Sequence, residues 1–271
     1  MVEYSCKSSK ELTKEMENLS TISIARQLRQ RELFYFTPTL LADLFSLERR
    51  QVYRLLVRLK SEGLIAEVEK GKFLLLGLEP ERVLSHPLFI AAHLVTPAYI
   101  SYWSALHFYG FTEQVPLTTF LATTRKRRPL QFRDFRFYFV QVKPHKFFGY
   151  RRERVDDLPL LIADEAKTII DSLDQMRYAG GLGEVAKALR AALEVVHLPT
   201  LVEYANRMGE KTLGSRLGYL LEKLGHPVEG LIRSATPVKL DPARPRRGRY
   251  EGRWQVIVNV PETELWPEGV G

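Results

Sequence analysis

Residues 37–77 read TPTLLADLFSLERRQVYRLLVRLKSEGLIAEVEKGKFLLLG. Thr37 stands where a side-chain oxygen caps a helix, and Pro38 follows at the first helical position, where its missing N–H is no loss. That helix is expected to end near Phe45. Ser46 offers a second N-cap, and Glu48 and Arg49 open a longer helix running to about Glu62, with Gly63 suited to the position just past its end. On this helix Val52, Leu55, Leu56 and Leu59 recur at helical spacing as one apolar stripe, while Arg50, Gln51, Arg54 and Arg58 cluster on the opposite side. Segments 65–68 and 73–76 then flank Glu69-Lys70-Gly71-Lys72, the pattern of a short hairpin with glycine at the turn and two lysines at its tip.

A cationic helix face taken alone reads as a solvated surface. The order of elements argues otherwise: a capped short helix, a tight turn, a basic longer helix and a basic-tipped hairpin make a winged helix-turn-helix, whose second helix enters the major groove of DNA. Double-stranded operator DNA is therefore the expected partner. The expected contact residues are Thr37, Arg49, Arg50, Gln51, Arg54 and Arg58, with Lys70 and Lys72 on the wing. Arginine pairs bidentately with guanine and glutamine with adenine, whereas wing lysines meet phosphates.

Outward from this stretch, residues 21–32 read as an amphipathic helix with Ile24 and Leu28 inward, and 33–36 as a short extended segment. Together these make a domain over residues 1–80, ended by Glu79-Pro80. A second domain over 81–271 is expected, since 271 residues and 45% hydrophobic content supply two cores. The formal charge is +8, and most of the excess lies in 81–160, where 12 basic face 6 acidic side chains. No stretch of about 18 apolar residues occurs and the N-terminus lacks a signal-peptide core, so a soluble, cytoplasmic protein is expected. Cys6 is the single cysteine and the six histidines are scattered. Neither a structural zinc site nor a disulfide is expected, and with no phosphate-loop or dinucleotide-binding motif, no metal and no cofactor are expected either.

In the second domain, residues 99–109 read as a buried helix ended by Gly110. Segments 117–124 and 132–142 are rich in β-branched and aromatic residues and read as two paired strands, joined by a turn carrying Arg125, Lys126, Arg127 and Arg128. Beyond them Lys143, Lys146, Arg151, Arg152 and Arg154 alternate with Phe147, Phe148 and Tyr150. The basic run is a second candidate DNA-contacting patch. The interleaved aromatics fit either a sheet core beneath a basic rim or a surface that stacks bases. Residues 163–173, 183–194, 199–208 and 213–224 read as helices and 254–260 as a terminal strand, with a proline- and arginine-rich loop at 241–249; Gly180, Gly181 and Gly183 read as a loop. The fold class expected is α+β: an N-terminal winged helix-turn-helix followed by a mixed, largely helical C-terminal domain with a small sheet.

Four stretches, YISYWSALHFYGFTEQVP (99–116), ADEAKTIIDSLDQMRYAGG (163–181), RLGYLLEKLG (216–225) and LDPARPRRGRYEGRWQVIVNV (240–260), resemble the AbiEi antitoxins of abortive-infection, type IV toxin–antitoxin systems. They occur in that family's order behind a winged helix-turn-helix. The resemblance implies a protein whose N-terminal domain represses its own operon, through the helix at 48–62, and whose C-terminal domain counters a nucleotidyltransferase-like toxin. It implies no stable complex with that toxin and no enzyme activity, and it transfers no individual antitoxicity residue.

Each stretch also has a packing reading. Ala166, Ile169, Ile170 and Leu173 form a core stripe, Asp164 with Lys167 and Lys167 with Asp171 are expected as surface pairs, and Trp254 is expected in the core. Asp164, Glu165 and Lys167 could be forced into a nuclease pattern, but their helical spacing argues against it. A one-component regulator with a ligand-binding or dimerising C-terminal domain is the competing reading.

Overall fold

Thr37 does cap a helix: in this computed structural model, which describes residues 20–266, its Oγ1 accepts the Leu40 N–H at 3.3 Å. The first unit runs α1 (Thr21–Gln30), β1 (Tyr35–Phe36), α2 (Pro38–Phe45), α3 (Arg49–Ser61), β2 (Ile65–Glu69), β3 (Lys72–Leu75) and α4 (Pro80–Leu84). The strands form an antiparallel sheet in the order β1-β3-β2. Leu28, Leu41, Val52, Leu59 and Leu74 are buried between helices and sheet, so the apolar stripe of α3 is spent on the core and its arginines are left outside. Gly71 at the hairpin turn has φ +68°, a left-handed conformation that glycine adopts at little cost.

Ser46 is not the second N-cap. It ends α2 in the left-handed region at φ 50°, its N–H bonded to the Ala42 carbonyl, and α3 starts only after Glu48. Reversing the chain between two packed helices uses residues 46–48, so capping moves two positions on. Gln51 Oε1 there accepts the Glu48 N–H at 2.9 Å.

The chain divides into the compact units Met1–His86 and Pro87–Gly271, placing the boundary beyond residue 80 because α4 stays with the first unit. The second unit carries a larger sheet than its sequence implies. It contains α5 (Pro87–His93), β4 (Ala98–Ile100), α6 (Tyr102–Phe108), β5 (Thr118–Thr123), β6 (Leu130–Phe132), β7 (Phe135–Gln141), β8 (Tyr150–Val155) and β9 (Leu158–Ala163). These strands make a six-stranded mixed sheet, β6-β7-β5-β4-β9-β8, in place of the small sheet expected.

Two expectations fail here for physical reasons. Residues 98–100 are a central strand, not the start of a helix, because a strand buried on both faces is as uniformly apolar as a buried helix. Strands β5 and β7 do pair, but in parallel, so Arg125–Arg128 lead into β6 and do not close a hairpin. Strand β8, YRRERV, is an edge strand whose charges suit an unpaired margin.

Helices α7 (Glu165–Asp174), α8 (Leu182–Ala192), α9 (Leu198–Arg207) and α10 (Lys211–Lys223) follow. Gly183 belongs to α8, and only Gly180 and Gly181 remain in the preceding loop. A small sheet then orders β10 (Val238–Lys239) and β11 (Arg249–Glu251) on either side of β12 (Val256–Val258), before α11 (Glu262–Leu265). The proline-rich loop is irregular as expected and is clasped by Asn259, whose side chain bonds Asp241 N, Asp241 O and Pro245 O at 2.9–3.1 Å. Trp254 is buried as expected, at the turn before β12. No helix among the described residues is long and apolar enough to cross a membrane.

Candidate nucleic-acid interface

On α3 the spacing of Arg50, Arg54 and Arg58 lines one solvent-facing strip, and all three side chains are exposed. None has an ion-pair partner among the described residues, so their charge is uncompensated locally. Lys70 is likewise exposed at the hairpin tip. Four cations therefore lie on one helix face and one turn, as a polyanion requires.

The other expected contact residues are engaged by the protein. Thr37 is committed to its cap and Gln51 to the Glu48 N–H. Arg49 turns toward α2, its guanidinium 5.8 Å from the Tyr53 ring centre, beside a cleft of about 420 Å³ lined by Pro38, Thr39, Ala42, Arg49, Val52 and Tyr53. Lys72 pairs with Glu69 at 3.1 Å, and Tyr35 donates to the same carboxylate at 2.8 Å. Glu67 accepts the Gly71 N–H at 3.1 Å and pairs with Lys60 at 3.3 Å; those two bonds hold its carboxyl below the usual range. The hairpin tip is thus braced from within, which sequence spacing does not reveal. Removing the α2 cap with Thr37→Ala should cost about 1 kcal/mol in urea unfolding.

The basic run of the second unit is split in the same way. Arg125, Lys126 and Arg128 are exposed. Arg127 donates to the Leu94 carbonyl and stacks 4.7 Å from the Phe139 ring centre, so it braces the sheet.

A second polar centre, for which the sequence carries no distinct signal, lies inside the second unit. Asp164 caps α7: one oxygen accepts the Lys167 N–H at 2.7 Å and the other the Tyr204 hydroxyl at 2.9 Å. Burial raises its carboxyl above the ordinary range despite those two bonds. Lys167 and Asp171 are not surface residues but are 0% and 1% exposed, paired with each other inside the core. Asp171 also accepts from the Tyr99 hydroxyl at 3.0 Å and Ser101 Oγ at 2.8 Å, while Lys167 Nζ lies 4.7 Å from the Phe148 ring centre. Burial first, then the Asp171 charge, pushes the Tyr99 hydroxyl well above its usual range, which keeps it a donor. One turn on, Lys146 bonds both oxygens of Asp174 at 3.0–3.1 Å and Glu210 at 3.1 Å. Burial raises the Asp174 carboxyl against the pull of Lys146. These groups satisfy one another and tie α7 to β4 and α9, a joining role. Among the described residues, which do not include Cys6, no group of three His, Cys, Asp or Glu could hold a metal ion.

No family model and no curated protein matches the chain. Among solved structures it is similar to the RV2827C protein from Mycobacterium tuberculosis, with a TM-score of 0.55 at 15% identity over 89% of this chain and 92% of that one. At that identity the likeness is one of fold, an α+β architecture spanning nearly the whole of both chains.

Proposed function

We propose that the first unit is a winged helix-turn-helix that binds double-stranded operator DNA, with α3 in the major groove and the β2–β3 hairpin as its wing. The observation carrying this reading is the strip Arg50, Arg54 and Arg58, exposed and without ion-pair partners among the described residues, on the second helix of the pair, with Lys70 at the hairpin tip. The AbiEi-like stretches of the second unit extend the proposal. The chain would be a cytoplasmic, non-enzymatic antitoxin that represses its own operon and counters a nucleotidyltransferase-like toxin without a lasting complex.

Two experiments test these halves separately. In promoter-binding assays Arg50→Ala or Arg54→Ala should each cost roughly 1–3 kcal/mol if the side chain reads a base, and Lys70→Ala should weaken all sequences while lowering the salt slope by about 1. Unchanged binding by the Arg50→Ala/Arg54→Ala double variant would end the groove model. Coexpression with a neighbouring nucleotidyltransferase-like gene product should restore growth; no rescue by well-expressed protein would end the antitoxin reading.

One observation favours a second reading, a ligand-responsive regulator. An open cleft of about 520 Å³ in the second unit is lined by Phe111, Thr112, Glu184, Lys187, Arg190 and Glu194 among others, a volume within the range of small-molecule sites. A metabolite that shifts promoter affinity, lost on Lys187→Ala, would favour it over the antitoxin.

A further inference from the structure

Three partly buried aromatic rings lie over the inner strands β5 and β7 of the six-stranded sheet, packed on its core and outside the duplex-binding face proposed above. Strand register sets Phe120 on β5 directly beside Tyr138 on β7, on the same face of the sheet. Tyr178, from the turn after α7, closes the group: ring centres are 5.1 Å apart for Tyr138–Tyr178 and 5.9 Å for Phe120–Tyr138 and Phe120–Tyr178. Each ring is only partly buried, resting on Tyr102, Ala122 and Val140, which are buried. The platform therefore sits on a packed floor while its rings keep solvent contact.

Cations accompany it. The Arg177 guanidinium lies 4.6 Å from the Tyr178 ring centre. Arg136, two residues before Tyr138 and so on the same face, is exposed and opposite the exposed Gln131 of β6. The acidic residue nearest in sequence to Arg136 is Asp134, in the β6–β7 turn. A partner must therefore combine flat apolar faces with negative charge, and bases on a phosphate chain do so. Bases paired within a duplex do not offer their faces, whereas unpaired ones stack on aromatic side chains while arginines hold the backbone.

We propose that this face binds a single-stranded segment of nucleic acid, stacking about two or three bases on Phe120, Tyr138 and Tyr178 with phosphates against Arg136 and Arg177. The proposal is independent of the duplex-binding reading, because all five residues lie in the second unit and none on α3 or its hairpin.

Fluorescence anisotropy of the full chain with short labelled oligouridylate and oligodeoxythymidylate tests it. The wild-type protein should bind at least one strand saturably, with affinity falling as salt rises. Tyr138→Leu and Tyr178→Leu, which keep bulk but remove the π face, should each weaken binding roughly five- to a hundred-fold, whereas Tyr138→Phe and Tyr178→Phe should retain it. Arg136→Glu, on an exposed side chain and so harmless to folding, should weaken binding and flatten its salt dependence. The Arg50→Ala/Arg54→Ala protein should bind the single strand like wild type. Three results would overturn the proposal: no saturable binding of either strand, equal affinities for the leucine and phenylalanine variants, or loss of binding on Arg50→Ala/Arg54→Ala alone.

Discussion

Lys167→Ala should destabilise the protein by about 3–5 kcal/mol, because it leaves the Asp171 carboxylate buried without its counter-charge. Lys167 has no exposure and Asp171 1%, so neither can recover hydration without opening the core. Asp171→Ala should cost as much: it strands the ammonium and removes the acceptor of both the Tyr99 and Ser101 hydroxyls. The discriminating variant is Lys167→Met/Asp171→Asn, which removes both charges yet keeps a side-chain oxygen for Tyr99 and Ser101. It should recover most of the loss, since a buried pair owes much of its apparent worth to the penalty of breaking it. Urea unfolding of the three variants measures this. A double variant no more stable than the singles would mean that the pair contributes through its attraction and not through avoided desolvation.

The second large effect is at the seam between α10 and the small sheet. Trp254 is 4% exposed and its indole N–H donates to Glu222 at 2.7 Å, so Trp254→Ala should cost about 3–5 kcal/mol. Its six-membered ring lies over Gly218 of α10, where an added Cβ would come within 2.2 Å of Cε3 and Cζ3. Gly218→Ala should therefore cost about 1–3 kcal/mol by forcing a buried ring aside. In the Trp254→Ala background the sign should reverse. With the ring gone, the three atoms the methyl would meet most closely are removed, and alanine is favoured over glycine inside a helix by roughly 0.5–1 kcal/mol. A double-mutant cycle reads this coupling directly. Additive costs would place the clash elsewhere than the ring.

Much of the first unit is legible in its residues alone. Thr37-Pro38, the α3 stripe and the Gly71 turn are local signals, each set by residues within a few positions of one another, and each is present in the fold. The site is legible as a list of cations but not as a surface. Gln51, Lys72 and Arg127 have the same composition signal as Arg50 or Arg125, yet bonds to Glu48, Glu69 and Leu94 take them up, and those partners are set by turns and packing. The Phe-and-Arg-rich segment likewise supports two readings, and burial divides its residues where sequence does not. Phe137 and Phe139 face the core, while the alternate Tyr138 faces partly outward, because successive strand residues point to opposite sides.

Periodicity and capping chemistry are enough to define the α2–α3 pair, its hairpin and the helices α7 to α10, since helices and tight turns are closed by contacts a few residues apart. Pairing across longer distances is not accessible in that way. That 98–100 is a strand, that β5 and β7 run parallel, and that Lys167 is buried all depend on partners such as Ile162, Tyr99 and Asp171 meeting from distant parts of the chain. A lysine at helical spacing from an aspartate looks the same on a surface as in a core, and only the packing of α7 against β4 and α9 decides that its charge is held inside.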